Sequence, residues 1–127
     1  DVTGSGESVT TRADIDPWFN PEDLPVVARY YCPDETKWRD PLVSPVFANV
    51  AGLPPMLIQV GDDEILLSDS TRLADKLEKA GVDVELEVWP DMWHVFQFFV
   101  GKMPESRQAI MKIGEYIRRR ILGKNNE

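Results

Sequence analysis

The sequence is poor in the residues that metal sites and disulfides require. Among its 127 residues there is one cysteine, Cys32, and one histidine, His94. A lone cysteine cannot form an internal disulfide, and this usage fits a reducing compartment, so we expect a cytoplasmic protein. Zinc sites are built mainly from cysteine and histidine ligands, and a single residue of each argues against one. We therefore expect no metal ion.

Long apolar runs and an excess of positive charge are also missing. No apolar run approaches the roughly 20 residues that a membrane-spanning helix needs. The 22 acidic and 14 basic residues give a net charge of −8, and such a surface repels nucleic acid and anionic membranes. We expect neither as a partner. The first residues, 1–6, are polar, contain no methionine and do not resemble a signal peptide, so we expect the native N-terminus to lie elsewhere.

One nucleophile motif is absent as well. The sequence contains no Gly-x-Ser-x-Gly, the sharp turn between a strand and a helix that exposes a reactive serine. Ser5 and Ser8 lack this context, and we interpret them as loop residues. What is present is folded material: 43% of the residues are hydrophobic and 28% are charged, which indicates a globular domain rather than disorder.

The sequence pattern changes near residue 50. Residues 1–50 predict a polar loop, a short helix that opens at Pro21 and an extended, proline-rich connector. Residues 51–127 predict a strand, a helix, a strand and a helix in that order. The first strand is the apolar run 56–60, which Gly61 ends. A helix that joins two strands makes them parallel with a right-handed crossover, and this order is typical of the α/β class.

The second strand has the pattern of a sheet edge. Val84, Leu86 and Val88 alternate with two glutamates, so we expect one buried face and one polar face. Two strands alone do not make a stable sheet covered on both sides, and further strands have to come from another segment or chain. One hypothesis is therefore a module that forms a homodimer through strand 84–89.

Two candidate catalytic residues follow the ends of the two predicted strands. Glu64 comes shortly after the first strand, and His94 lies in the loop after the second. Ligands bind at the carboxyl ends of parallel strands, and neighbouring strands lie about 4.8 Å apart, so this carboxylate can reach the imidazole. A paired carboxylate orients the ring and stabilises the imidazolium that forms when a histidine takes a proton from serine. Alone, a histidine is more typical of a structural or solvated side chain, and an Asp-Asp-Glu run after a strand is more typical of a turn or cap. Only their joint placement favours catalysis.

Several segments of the chain resemble the C-terminal region of the bacterial hormone-sensitive-lipase-like esterases, which belong to the α/β-hydrolase superfamily. These segments are DPLVSP at 40–45, GLPP at 52–55, VGDDEILLSD at 60–69, AGV at 80–82 and DMWHV at 91–95. The opening DVTGSGES is similar to the segment that follows the sixth strand in that family. The resemblance implies the C-terminal half of an α/β-hydrolase fold, with parallel strands and flanking helices, plus part of a helical cap.

The resemblance implies a serine carboxylic ester hydrolase that acts on short to medium acyl esters and needs no cofactor. The family's serine elbow and oxyanion loop would precede this chain, on a missing segment or a separate chain that carries the N-terminal half. We expect the 127 residues alone to be inactive. The alternative is a non-catalytic module that has lost its nucleophile and binds a small apolar ligand.

The resemblance also implies a role for several residues. His94 would be the general base. The acid that orients it stands thirty residues earlier in the family, which points to Glu64, with Asp63 as the alternative. Trp18, Phe19 and Leu24 in the cap region would bind substrate, and an amphipathic cap helix is the other interpretation of these three. Val95 and Phe96 beside the histidine would line the pocket for the substrate, with core packing as the other interpretation.

Overall fold

The structure of the chain is a computed structural model, and it describes residues 1–122. These residues form two compact units, Asp1–His94 and the segment from Val95 onward. The division at residue 50 inferred from sequence separates roles rather than compact units, and it stays a prediction.

The first unit is built on a parallel pair of strands. Strand β1 spans Met56–Gly61 and strand β2 spans Val84–Trp89, and their register runs from Met56↔Val84 to Gly61↔Trp89. Helix α3, Leu67–Lys79, joins them. Within residues 1–122 the sheet has these two strands. The predicted parallel α/β arrangement is therefore confirmed, with both strands ending at the same edge of the sheet.

Helix α3 ends just before Gly81, whose backbone adopts a left-handed conformation. Gly81 has a φ of 75°, a left-handed conformation that costs glycine little. Its amide donates to the Glu78 carbonyl at 3.0 Å, and the Val82 amide donates to the Leu77 carbonyl at 3.0 Å. This pattern closes the last turn and sends the chain into β2. The core of the unit lies beside it, where Leu77 and Val82 pack with Val50.

The predicted buried face of β2 is only partly buried. Val84 packs on the core, but Leu86 is 37% and Val88 is 43% exposed. The two glutamates of the strand are partly buried instead, and the Glu87 carboxylate accepts a hydrogen bond from Gln59 at 3.0 Å. Alternation in sequence shows which residues share a face. It does not show whether another element covers that face.

The N-terminal segment is more ordered than the predicted loop. Helix α1, Ser8–Thr11, interrupts it, and Ser8 is 2% exposed. The Ser8 hydroxyl donates to the Ile65 carbonyl at 2.6 Å and accepts from the Ser68 amide at 2.9 Å. These contacts fasten α1 to the start of α3. The prediction that Ser8 is a loop residue was wrong, because its polar group finds partners that are distant in sequence.

Short helical pieces follow in the cap region and the connector. A 3-10 turn at Pro21–Asp23 leads into helix α2, Leu24–Tyr31, as expected from the proline at the start. The connector contains two more 3-10 turns, Glu35–Lys37 and Pro45–Phe47, rather than extended chain throughout.

The second unit contains one long helix. A 3-10 turn, Phe96–Phe99, precedes helix α4, Pro104–Leu122. The buried Ser106 hydroxyl donates to the Phe96 carbonyl at 2.7 Å and so ties the turn to the helix. Of the helices in residues 1–122, none is long and apolar enough to cross a membrane. The same residues hold no cluster of three or more histidine, cysteine, aspartate or glutamate side chains that could bind a metal ion.

Candidate active site

The loops that follow β1 and β2 are joined by their backbones. The Asp62 amide donates to the Trp89 carbonyl at 2.9 Å, and the Asp63 amide donates to the Met92 carbonyl at 2.9 Å. The chains approach so closely that a Cβ on Gly61 would collide with the Met92 carbonyl. A glycine is therefore needed at the end of β1. The contact holds the loop after β2 that carries His94 (residues 90–94, the histidine loop) against the loop after β1 that carries Glu64 (residues 62–66, the acid loop).

Glu64 is a buried carboxylate with both oxygens engaged. The residue is 3% exposed. Its Oε1 accepts a hydrogen bond from the Gly61 amide at 2.9 Å, and its Oε2 lies 2.8 Å from His94 Nδ1. A buried charge is tolerated when it is paired and hydrogen-bonded in this way. Because an ionised carboxylate can only accept, Nδ1 carries the ring proton, and the lone pair of Nε2 is left to take another.

His94 is poised to become charged. Its pKa is raised above the ordinary value, mainly by the hydrogen bond from Nδ1 to Glu64. Partial burial lowers the pKa, while the negative charges of Glu64 and Asp16 raise it further. The side chain is 35% exposed, so a reacting group can approach the ring. A histidine of this kind can accept a proton and hold it as a stabilised imidazolium.

The three consecutive acidic residues after β1, Asp62, Asp63 and Glu64, have different surroundings. Glu64 is the one whose carboxylate contacts the ring. Asp62 instead forms an ion pair with Arg12 at 2.9 Å. Asp63 binds the histidine loop through its backbone amide. The geometry therefore favours Glu64 over Asp63 as the partner of His94, and the catalytic roles of both residues stay proposals.

The expected cap residues lie in different places. The Phe19 ring contacts the His94 ring edge-on, with centroids 5.1 Å apart and planes inclined by 62°. Trp18 is adjacent in sequence and 47% exposed. Leu24 is partly buried near the N-terminal segment, 3.6 Å from where a Cβ on Gly4 would lie. Of the three, the structure brings Phe19 to the histidine, and substrate binding by Trp18 and Leu24 stays a prediction.

Val95 and Phe96 begin the second unit. Val95 has φ 52° and ψ 32°, the left-handed region that a β-branched residue seldom occupies. Phe96 is 1% exposed and follows as the first residue of the 3-10 turn. Substrate binding by these two residues stays a prediction.

Asp16 is a site residue that the sequence reasoning missed. Its Oδ2 accepts a hydrogen bond from the Ile65 amide at 2.8 Å, next to Glu64. Its Oδ1 accepts from the amides of Trp18 at 2.8 Å and Phe19 at 3.0 Å. The local signal was an aspartate followed by proline, which favours a turn stabilised by the aspartate side chain. The contact with Ile65 has no signal in the local sequence.

Comparison with known proteins identifies the family. A protein family described as "alpha/beta hydrolase fold" matches residues 2–98 of the chain. The chain is 40% identical over 116 residues to an esterase of Acinetobacter venetianus, a match that covers 91% of this chain and 38% of that protein. It is 39% identical over 118 residues to an acetyl-hydrolase of Streptomyces hygroscopicus, covering 93% and 39% respectively. The chain thus spans about two fifths of the length of these relatives.

Solved structures give the same result. An esterase from the bacterial hormone-sensitive lipase family superposes with a TM-score of 0.90 at 45% identity, over 94% of this chain and 40% of that one. A hormone-sensitive lipase from a metagenome library superposes with a TM-score of 0.88 at 43% identity, over 94% and 41%. The chain therefore belongs to the α/β-hydrolase fold family, and it is similar to part of the bacterial hormone-sensitive-lipase esterases.

Proposed function

We propose that this chain supplies the general base and its orienting acid to a serine carboxylic ester hydrolase. The proposal depends above all on the 2.8 Å hydrogen bond between His94 Nδ1 and the buried Glu64 carboxylate, at the carboxyl ends of two parallel strands. This is the edge of the sheet at which such folds bind ligands. The relatives described as an esterase and an acetyl-hydrolase support ester cleavage as the reaction.

The proposed mechanism uses the free nitrogen of His94. Nε2 takes the proton of a serine hydroxyl as the serine attacks the acyl carbonyl, and Glu64 stabilises the imidazolium. His94 then gives the proton to the departing alcohol, and the same steps with water release the acid. The serine and the oxyanion donors lie outside these 127 residues, on a missing segment or a separate chain. This chain and that serine-bearing segment together make the complete hydrolase.

The proposed substrates are esters with short to medium acyl chains. Phe19 gives the base an apolar neighbour, because its ring lies 5.1 Å from the imidazole. Trp18 is 47% exposed and offers apolar surface next to it in sequence. An apolar protein surface close to His94 suits an uncharged ester with a small acyl group better than a highly charged substrate.

The test is ester cleavage by the complete hydrolase, with p-nitrophenyl butyrate as substrate. We expect turnover that the His94→Ala variant abolishes without unfolding the protein. The 127-residue chain alone, assayed at the same concentration, should show no turnover. Turnover by the chain alone, or an unaffected His94→Ala variant, would contradict the proposal. Binding of the ester without cleavage by the wild-type protein would favour the alternative, a non-catalytic ligand-binding module.

A second candidate function is self-association through β2. Within the described residues, β2 has a strand neighbour on one side, and Leu86 and Val88 are 37% and 43% exposed. Edge strands with exposed apolar residues pair with other chains. Leu86→Lys should therefore weaken dimerisation in analytical ultracentrifugation. Leu53→Lys is the matched control, because Leu53 is 42% exposed but lies outside the strand. An unchanged sedimentation profile for Leu86→Lys would exclude this interface.

A further inference from the structure

The segment 12–19 is fastened to the acid loop at two points. At its start, the Arg12 guanidinium donates to the Asp62 carbonyl at 2.8 Å and to the Asp62 carboxylate at 2.9 Å. Near its middle, Asp16 Oδ2 accepts from the Ile65 amide at 2.8 Å. Because these points flank Glu64, the segment is held against the loop that carries the candidate acid.

The Asp16 carboxylate also organises the residues that follow it. Its Oδ1 accepts from the amides of Trp18 at 2.8 Å and Phe19 at 3.0 Å, which makes a tight turn after Pro17. This turn fixes the backbone of Phe19. The Phe19 ring then lies edge-on to His94, with centroids 5.1 Å apart. The Asp16 carboxylate therefore links Ile65, the residue after Glu64, to Phe19, which contacts His94.

The charge of Asp16 also affects the histidine. It raises the pKa of His94, as a smaller cause than the hydrogen bond and charge of Glu64. Segment 12–19 carries two other charged residues: Arg12 is paired with Asp62, and Asp14 is exposed.

We propose that Asp16 is a positioning residue, whose carboxylate fixes the Phe19 segment to the acid loop so that Phe19 restricts the His94 ring to the orientation that Glu64 binds. Its catalytic consequence rests on the proposed ester hydrolysis, but the positioning itself does not. Asp16 acts on the base through Phe19 and through the acid loop, without contacting substrate. A charged carboxylate is suited to this role because it accepts all three backbone hydrogen bonds at once.

The positioning can be tested by NMR in the complete hydrolase with isotope labels confined to these 127 residues, because His94 is their sole histidine and gives one set of labelled ring signals. Asp16→Asn keeps the size but puts an amide N–H₂ where a second acceptor is needed. We expect it to weaken the nuclear Overhauser contacts between the Phe19 and His94 rings and to lower the pKa of His94 in a titration. Asp14→Asn is the matched control, since Asp14 is an exposed carboxylate two residues earlier. It should change neither measurement.

A second variant keeps the test decisive if Asp16→Asn fails to fold. Asp16→Ser retains a short acceptor for the local turn, but its hydroxyl is too short to bridge to Ile65 as well. It should also weaken the contacts between the two rings. Unchanged ring contacts and an unchanged His94 pKa in the folded Asp16 variants would overturn the proposal.

The catalytic consequence is measured separately in the complete hydrolase. Misplacement of a catalytic group by about 1 Å costs up to about 100-fold, so we expect Asp16→Asn to lower kcat/KM about 10-fold to 100-fold. The acidic limb of its pH profile should move to lower pH, because the pKa of the base falls. A normal rate and profile despite altered NMR contacts would overturn the catalytic role of Asp16. A wild-type protein that is inactive would overturn the proposed function and leave the NMR result intact.

Discussion

Replacement of Glu64 by glutamine tests the orientation of the base while preserving the size of the side chain. One side-chain oxygen now accepts a hydrogen bond from the Gly61 amide at 2.9 Å, and the other lies 2.8 Å from His94 Nδ1. The single oxygen of glutamine can satisfy the Gly61 amide, which leaves its N–H₂ group facing Nδ1. A donor at that position requires Nδ1 to accept, and the ring proton moves to Nε2. The nitrogen that must take the serine proton is then occupied.

The expected loss of activity is large. A histidine held in the wrong tautomer lowers kcat by about 10⁴-fold in a serine hydrolase, which corresponds to about 5.5 kcal/mol of transition-state stabilisation. Glu64 is 3% exposed, so little water is available to restore the original tautomer. The substitution also removes the main cause of the raised pKa of His94, and that pKa should fall.

The assay is the kcat of the complete hydrolase on p-nitrophenyl butyrate, with an NMR titration of His94 in the same variant. Asp63→Asn is the matched control, because it removes the same charge from the preceding residue and should leave kcat near the wild-type value. A Glu64→Gln variant with nearly wild-type activity would refute the tautomer argument. Loss of activity in Asp63→Asn instead would assign the acid's role to Asp63.

Three further predictions concern stability. Because the pKa of His94 is raised in the folded chain, its protonation stabilises the fold below its unfolded pKa of about 6.5, and this contribution is lost as pH rises through the folded pKa. His94→Gln should therefore be more destabilising in urea at acidic than at alkaline pH, and an equal effect at both would contradict the linkage. Gly61→Ala should destabilise by roughly 1–3 kcal/mol through collision with the histidine loop, whereas Gly101→Ala, which meets no neighbouring atom within 4 Å, should not. Ser106→Ala should cost about 1 kcal/mol by removing the 2.7 Å hydrogen bond from its hydroxyl to the Phe96 carbonyl, and an unchanged urea midpoint would show that this bond contributes nothing.

Local patterns explain why much of the fold was predictable. The apolar run of β1 and the strand–helix–strand order each depend on patterns of a few residues, and the structure has them as expected, with β1 one residue longer than the apolar run 56–60. The helix between the strands then determines that they are parallel. The same reasoning brought Glu64 and His94 to one edge of the sheet.

The covered faces were not predictable in the same way. The alternation in β2 was read as a buried apolar face, yet Leu86 and Val88 are exposed by 37% and 43%. Burial depends on which element packs against a face, and that element can come from anywhere in the chain. Helix α1 was missed for a related reason, because Ser8 is stabilised by groups near Ile65 and Ser68, which are distant in sequence.

The sequence alone therefore determined the α/β class, the order of the elements and the placement of an acidic run and a histidine after two neighbouring strands, because each follows from local periodicity and strand ends. The tertiary structure alone decided that the carboxylate on the imidazole is that of Glu64, and that Asp16 bridges 49 residues to the Ile65 amide. Such contacts depend on side-chain direction and backbone proximity after folding. No local pattern of residues encodes them.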